Sequence, residues 1–275
     1  MSKIKIGYVV ATPEVLFNEN LIAYQGDTED AFKKLRDLGY EGAELMLANP
    51  DIVKVEDIQN LSQKYGLDIP GICTGEVCGQ ENLTFMDPDE KIRLKTIRRM
   101  KDIIDFAEPF GAYVNIGRIR GRFYLDIPRN KSLDWMYSAF NEITDYATEK
   151  NVVLILEPIP YIFLNNINTT QDAIEVIKKI GKPNFRLMMD FFSMHMEDKS
   201  FEKSFFDAQT YLKHIHVCDS NRLAPGYGNI DFKEMLNLIK KIDYSGYISV
   251  EINHAPDKDK VMKDSIELIK PLLME

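Results

Sequence analysis

Three segments between residues 152 and 190 decide the fold: VVLILE (152–157), TQDAIEVIKKI (170–180) and FRLMMD (185–190). The first and third are short apolar runs of the kind that forms buried strands, and each ends on an acid. The middle segment is longer and has a helical apolar period, and Gly181 follows it where a C-terminal helix cap belongs. The three segments therefore predict a strand–helix–strand unit with an acid at the end of each strand.

The same alternation runs through the whole chain, with eight strand candidates and eight helix candidates. The strand candidates are 4–10, 42–47, 69–74, 112–117, 152–157, 185–190, 214–219 and 247–252. The helix candidates are 28–38, 55–65, 88–110, 132–150, 170–180, 201–212, 232–242 and 256–274.

Capping residues support these helix boundaries. Asp231 precedes an apolar helical face as an N-cap candidate, and Asp87-Pro88 offers a cap followed by proline at the first helical position. Glycines at the expected C-terminal caps follow four helices: Gly39, Gly66, Gly111 and Gly181.

Eight strand–helix units favour a closed barrel over an open sheet. An open nucleotide-binding sheet would carry a glycine-rich turn after its first strand, where this chain has Ala11-Thr12-Pro13-Glu14. No linker interrupts the alternation, so the sequence predicts a single (β/α)₈ TIM barrel domain over residues 1–275.

The bulk composition restricts the partners. A formal net charge of −9 and a pI of about 5.1 disfavour nucleic acid, because such a surface repels a phosphate backbone. Three cysteines and the lack of an N-terminal apolar run indicate a cytoplasmic protein, and no stretch has the length of a membrane span. A homo-oligomer is left open.

Four strand candidates of the second half carry metal-ligand residue types at or near their ends: Glu157, Asp190, His216 and Glu251. Catalytic residues of a barrel lie at the C-terminal strand ends, and a carboxylate there is costly to bury without a cation or hydrogen bonds. Three carboxylates and one imidazole suit one divalent metal ion, with Mn²⁺, Mg²⁺ or Co²⁺ preferred and Zn²⁺ also suitable.

With these residues in place, the chain resembles the xylose isomerase-like TIM barrel superfamily, in particular its sugar phosphate isomerase/epimerase branch with the ketose 3-epimerases. The motifs that carry the resemblance over residues 150–255 are Leu156-Glu157-Pro158, Met189-Asp190, His214-Ile215-His216, Asn221-Arg222, Pro225-Gly226-x-Gly228 and Val250-Glu251-Ile252. The first half matches more loosely, through Gly42-Ala43-Glu44 and Asp87-Pro88.

The resemblance implies that Glu157, Asp190, His216 and Glu251 are the metal ligands, and that the two glutamates double as acid and base. It also implies that Arg222 holds a substrate hydroxyl. The chain departs from the ketose 3-epimerases at Phe163 and Ser193, where that group has a glutamate and a histidine that contact substrate oxygens. These two departures put a free-ketose substrate in doubt without touching the metal site.

Two further positions are candidates for substrate binding. The segment Ile116–Arg122 follows the fourth strand with three arginines, of which Arg118 and Arg120 lie nearer the strand and could bind a phosphate or carboxylate. The alternative is a solvated basic turn. Glu44, within the second strand, could reach the mouth and bind substrate or orient a ligand.

The predicted activity is proton transfer next to the carbonyl of a small sugar or sugar phosphate, through an enediolate. Two glutamates on opposite faces of the sugar would invert a centre, whereas one face used for both steps would give aldose–ketose isomerisation. A keto-polyol isomerase or dehydratase on the same site is an alternative. So is a barrel that binds sugar or metal without catalysis.

Overall fold

The computed structural model describes residues 4–274, which form eight parallel strands closed into a barrel in the order β1 to β8. The strands are β1 (Lys5–Ala11), β2 (Gly42–Met46), β3 (Gly71–Cys73), β4 (Tyr113–Ile116), β5 (Leu154–Leu156), β6 (Phe185–Asp190), β7 (Leu212–Val217) and β8 (Tyr247–Val250). Closure through β1 and β8 leaves no open sheet edge, so the predicted TIM barrel is confirmed.

The helices follow the strands and cover the outside of the barrel. They are α1 (Thr28–Leu38), α2 (Val55–Tyr65), α3 (Gly75–Glu81), α4 (Glu90–Ala107), α5 (Arg129–Glu149), α6 (Thr170–Ile180), α7 (Phe191–Glu197), α8 (Phe201–Ala208), α9 (Phe232–Lys241) and α10 (Lys258–Met274). Single 3₁₀ turns occupy Glu108–Phe110 and Arg118–Arg120. Within residues 4–274, no helix is both long and apolar enough to cross a membrane.

The capping predictions were mostly confirmed. Asp231 caps α9 by accepting from the Glu234 N–H, and the four glycines end their helices with positive φ. The prediction at Asp87-Pro88 was wrong, because Asp89 caps α4 by accepting from the Lys91 N–H and the helix begins two residues later than proline.

Most other bounds differ from the predicted ones by one to three residues, and the differences that change the fold description lie after β3, β6 and β7. Helices α3 and α7 were missed, because seven residues are too few to show a helical period. Strand β7 begins at Leu212, which pairs with Leu187, and ends two residues earlier than predicted. It ends there because Asp219 belongs to a loop, where its carboxylate accepts from the N–H groups of Gly226 and Ile230.

The interior of the barrel is closed on one side by the loop after β1. Leu21 and Ala23 of this loop pack on Val9, Met46 and Cys73 of the first three strands, in an apolar cluster separate from the main core. Acidic residues stand at the C-terminal ends of β5, β6 and β8, and a histidine lies in β7. The fold therefore brings a group of acids together at one part of the mouth.

Candidate active site at the C-terminal mouth

The four predicted strand-end residues come together in the structure. Glu157 and Glu251 follow β5 and β8, Asp190 ends β6, and the register of β6 against β7 sets Asp190 directly beside His216. Each residue offers one oxygen or nitrogen, and these four atoms all lie within 4.8 Å of one another. We call these four residues the acidic cluster.

Arg222 spans two members of the acidic cluster. Its guanidinium donates to Asp190 Oδ2 and, at 2.7 Å, to Glu251 Oε2. The residue has a left-handed backbone with φ of 64°, and its carbonyl accepts from the Asn253 N–H. The loop that carries it is anchored by Asp219. Arg222 also lines the cavity described below, where the resemblance places it.

Negative charge exceeds positive charge in the acidic cluster. Burial, followed by repulsion from Glu251 and Asp190, raises the pKa of Glu157 to about 7, although His216 opposes the shift. The Asn115 amide donates to Glu157 Oε2 at 2.9 Å and fixes the orientation of this carboxylate. The three carboxylates outnumber the Arg222 guanidinium and the His216 imidazole, so oxygen atoms are available to bind a cation.

His216 is held from its far side by Glu44. Its Nε2 lies 3.0 Å from Glu44 Oε1. Its Nδ1 lies 3.2 Å from Glu251 Oε2, is buried, and meets no hydrogen-bond criterion within the described residues. Burial alone would lower the pKa of His216, but Glu251 and Glu44 outweigh burial and raise that pKa well above its usual value. The nitrogen that faces the carboxylates therefore has only the ion pair with Glu251 and no well-formed hydrogen bond within residues 4–274.

Glu44 does not contact the cavity, so its prediction as a substrate-binding residue was wrong. The side chain is fully buried, because the inward positions of β2 and β7 place its second oxygen 2.7 Å from His214 Nε2. Burial would raise the pKa of Glu44, but His214 and His216 together lower it well below the usual value. The alternative, that Glu44 orients a ligand, agrees with its contact to His216.

Arg120 was also wrongly predicted to bind substrate. The side chain is fully buried, and its guanidinium donates to the carbonyls of Gly117, Glu157, Asn166 and Ile167 and to the Asn166 side chain. All five N–H donors of an arginine are thus used inside the protein, so none is left for a phosphate. Arg120 joins the loop after β4 to the loop after β5.

Arg118 does lie at the cavity. Its side chain is 45% exposed and forms an ion pair with Glu76 at 3.0 Å. Both residues line the cavity, so a substrate-binding role for Arg118 stays a prediction. Arg122 is exposed and donates only to the Phe163 carbonyl, at 3.3 Å, among the contacts described.

A cavity of about 1130 Å³ opens above the acidic cluster. Glu157 and Glu251 line it, whereas Asp190 and His216 are buried beneath them. Phe163, one of the two departures from the ketose 3-epimerase pattern, lines the cavity and is half exposed.

Two residues of this site escaped the sequence reasoning. Asn115 is a polar residue inside the apolar strand β4, which is the signal that could have identified it. His254, in the loop after β8, lines the cavity, and its Nε2 lies 2.9 Å from the Tyr8 hydroxyl.

The fold and the acidic cluster together define a class, the barrels that place a mixed carboxylate and imidazole site at the C-terminal mouth. The chain belongs to the family of xylose isomerase-like TIM barrels, whose family model matches residues 32–272. The prediction of this superfamily is therefore confirmed.

Named relatives agree with the isomerase class. The chain is 22% identical to a probable ketose 3-epimerase of Synechocystis, over 91% of this chain and 88% of that protein. It is 23% identical to the 3-dehydro-D-guloside 4-epimerase of Escherichia coli, over 94% and 97%. A solved D-allulose 3-epimerase of Methylomonas in complex with D-allulose superposes with a TM-score of 0.81 at 21% identity, over 98% of each chain. The prediction of an enzyme of the isomerase and epimerase class is confirmed.

Proposed function

We propose that this protein is a divalent-metal-dependent sugar epimerase or isomerase that moves a proton on the carbon next to a carbonyl. The observation that carries the proposal is the placement of Glu157 and Glu251. Both belong to the four-residue acidic cluster, and both also line a cavity large enough for a sugar. Two carboxylates with access to one substrate provide a base and an acid for proton transfer.

The residues present fit a divalent cation. Asp190 and the two glutamates supply hard oxygen donors, and His216 presents the buried Nδ1 that lacks a hydrogen bond. Glu44 at Nε2 supplies the outer carboxylate that commonly orients a metal-bound histidine. Glu251 and Glu44 favour a proton on the His216 imidazole, and a bound cation would take the place of that proton. This donor set favours Mn²⁺, Mg²⁺ or Co²⁺, with Zn²⁺ also suitable.

When bound, the cation would stabilise the negative charge that develops on the substrate oxygens. Glu157, oriented by Asn115, and Glu251, held by Arg222, would remove and return the proton at the reacting carbon. Arg222 would donate to a substrate hydroxyl from the cavity wall. Use of both glutamates, one on each face of the sugar, inverts a centre, and use of one face alone gives 1,2-isomerisation.

Epimerisation of an unphosphorylated sugar is the form of the reaction that the observations favour. The relatives named above are epimerases, one of a ketose and one of a guloside, which is a glycoside. With Arg120 buried, the lysines and arginines that line the cavity are Arg118, Arg222 and Lys258. The Arg118 guanidinium is already paired with Glu76, and the Lys258 ammonium donates to the Gln25 carbonyl. This supply of free positive charge is poor for a phosphate.

Deuterium incorporation tests the proposal directly. We expect chelator-treated protein in D₂O to exchange a carbon-bound proton of ketoses or keto-glycosides only after Mn²⁺, Mg²⁺ or Co²⁺ is restored. Proton NMR would follow the loss of the substrate signal, and an epimer would appear beside it. Thermal stabilisation by a sugar without any exchange, across a panel that includes the phosphates, would instead identify a binding barrel and overturn the proposal.

A further inference from the structure

The cavity is larger than a free monosaccharide requires. Its volume of about 1130 Å³ exceeds the roughly 300–1,000 Å³ of pockets that enclose drug-sized ligands. A single sugar held at the acidic cluster therefore leaves much of the cavity unfilled. The chemistry of the remaining wall indicates what else the substrate carries.

An aromatic surface continues outward from the acidic cluster. Arg222, which contacts Glu251, lies with its guanidinium carbon 5.3 Å from the centre of the Phe192 ring. The Phe192 ring is in turn 6.3 Å from the Phe163 ring, with 38° between the planes. All four residues line the cavity, so the apolar wall begins one side chain away from the acids.

The outer part of this wall is exposed, and the loop that carries Phe163 is held by hydrogen bonds. Phe163 is 52% exposed, and Phe17, from the loop after β1, is 83% exposed on the same cavity. The Phe163 N–H donates to the Pro160 carbonyl at 2.9 Å, and Arg120 fixes the end of the same loop through Ile167. Exposed aromatic rings on an anchored loop of a ligand cavity mark a binding surface.

We propose that the substrate is a keto-sugar that carries an apolar, aromatic substituent, as an aryl glycoside with a ketone on its sugar ring does. The sugar lies at the acidic cluster, and the substituent packs against Phe163, Phe192 and Phe17, which we call the aromatic subsite. This inference rests on the proposed function for the position of the sugar. The driving force at the subsite is burial of aromatic surface, and ring-to-ring contact adds to it.

Matched pairs of glycosides test the aromatic subsite. Methyl and phenyl glycosides of glucose, galactose, gulose and fructose lack the carbonyl, so they serve as unreactive analogues that differ only in the substituent. They would be titrated into the Mn²⁺-loaded protein by isothermal calorimetry. We expect the phenyl member of at least one pair to bind about 10-fold more tightly than its methyl partner. Phe163→Ala and Phe17→Ala should each reduce this ratio by several-fold, and both variants should fold because the side chains they truncate are exposed.

Phe206→Ala is the matched control, because Phe206 is a 40% exposed phenylalanine on α8 and does not line the cavity as described. This variant should keep the wild-type ratio. Equal affinities within every pair, or no binding by any compound, would overturn the inference. An unchanged ratio in Phe163→Ala and Phe17→Ala, with a halved mass in light scattering, would assign the aromatic wall to contact between two copies and would also overturn it.

The two proposals fail in different ways. Loss of the proposed function appears as absent exchange for all sugars, whatever the glycoside affinities are. Loss of the aromatic subsite appears as equal affinities within the pairs, even where a free ketose exchanges its proton in the presence of Mn²⁺. Each measurement therefore decides its own proposal.

Discussion

The acidic cluster and the Arg120 network are two buried polar regions at the same end of the barrel, and they share one residue. The Arg120 network comprises Arg120 and the groups to which it donates, one of which is the Glu157 carbonyl. The Glu157 side chain belongs to the acidic cluster. Every donor of Arg120 is paired with an acceptor, whereas the acidic cluster keeps surplus charge and an imidazole nitrogen without a hydrogen bond. Burial and polarity alone therefore do not identify a catalytic group; what distinguishes the acidic cluster is its set of neighbouring carboxylates, two of which line the cavity.

The largest expected effect is loss of proton exchange when the Glu157 side chain loses its basicity. Glu157→Gln keeps the volume and the backbone carbonyl that Arg120 needs, so we expect a folded protein whose exchange rate at saturating Mn²⁺ falls by roughly 100- to 10,000-fold. Glu251→Gln should show a loss of the same order. Glu56→Gln, on the exposed face of α2, is the control and should exchange at the wild-type rate. A wild-type rate in either site variant would remove the acid–base role.

The second effect is on stability and separates the two regions. Arg120→Met removes five buried donors and leaves carbonyls without partners, so we expect the free energy of unfolding in urea to fall by about 3 kcal/mol or more. Arg120→Lys keeps the charge but cannot form the same set of bonds, and it should also destabilise the fold. Arg122→Ala is the control and should change the free energy by less than about 0.5 kcal/mol, because Arg122 is exposed.

An Arg120→Lys protein of wild-type stability with weaker binding of a sugar phosphate would contradict the structural role of Arg120. That result would restore the prediction made from the sequence. Denaturant titration and substrate titration on the same preparation distinguish the two cases.

The smallest effect is expected at the contact between Glu44 and His216. Glu44→Gln removes the carboxylate that orients His216 but leaves the four residues of the acidic cluster in place. Mn²⁺ affinity should fall by roughly 10- to 100-fold when measured by calorimetry, without reference to turnover. Glu56→Gln again serves as the control. Unchanged Mn²⁺ affinity in Glu44→Gln would mean that Glu44 serves only the packing of the barrel interior.

The elements that the sequence predicted well are those with a long local signal. Helices α1, α2 and α6 match the predicted ranges at both ends, because an apolar period and a terminal glycine act within one segment. Short helices α3 and α7 gave no such signal. The start of α4 was misplaced at Pro88, since Asp87 and Asp89 are both competent caps and only the Lys91 contact distinguishes them.

The two arginine predictions show the same limit within the mouth. Arg118 and Arg120 are two residues apart on one 3₁₀ turn, and both looked equally suited to an anion. One side chain reaches the cavity, whereas the other turns inward to carbonyls 46 and 47 residues away in the chain. No local pattern encodes acceptors at that separation.

The sequence by itself determined the barrel and the identity of the acidic cluster, because alternating periods define strands and helices, and parallel strands deliver their last residues to one end. Only the tertiary structure decided which polar groups at that end remain unsatisfied. Glu44 and Arg120 are kept out of the cavity by partners that folding brings to them. Phe163 and Phe192 form one surface only when the loop after β5 meets helix α7. Whether a polar group finds a hydrogen-bond partner, and whether two apolar side chains form one wall, depends on residues distant in the chain. These residues become neighbours only when the barrel has closed.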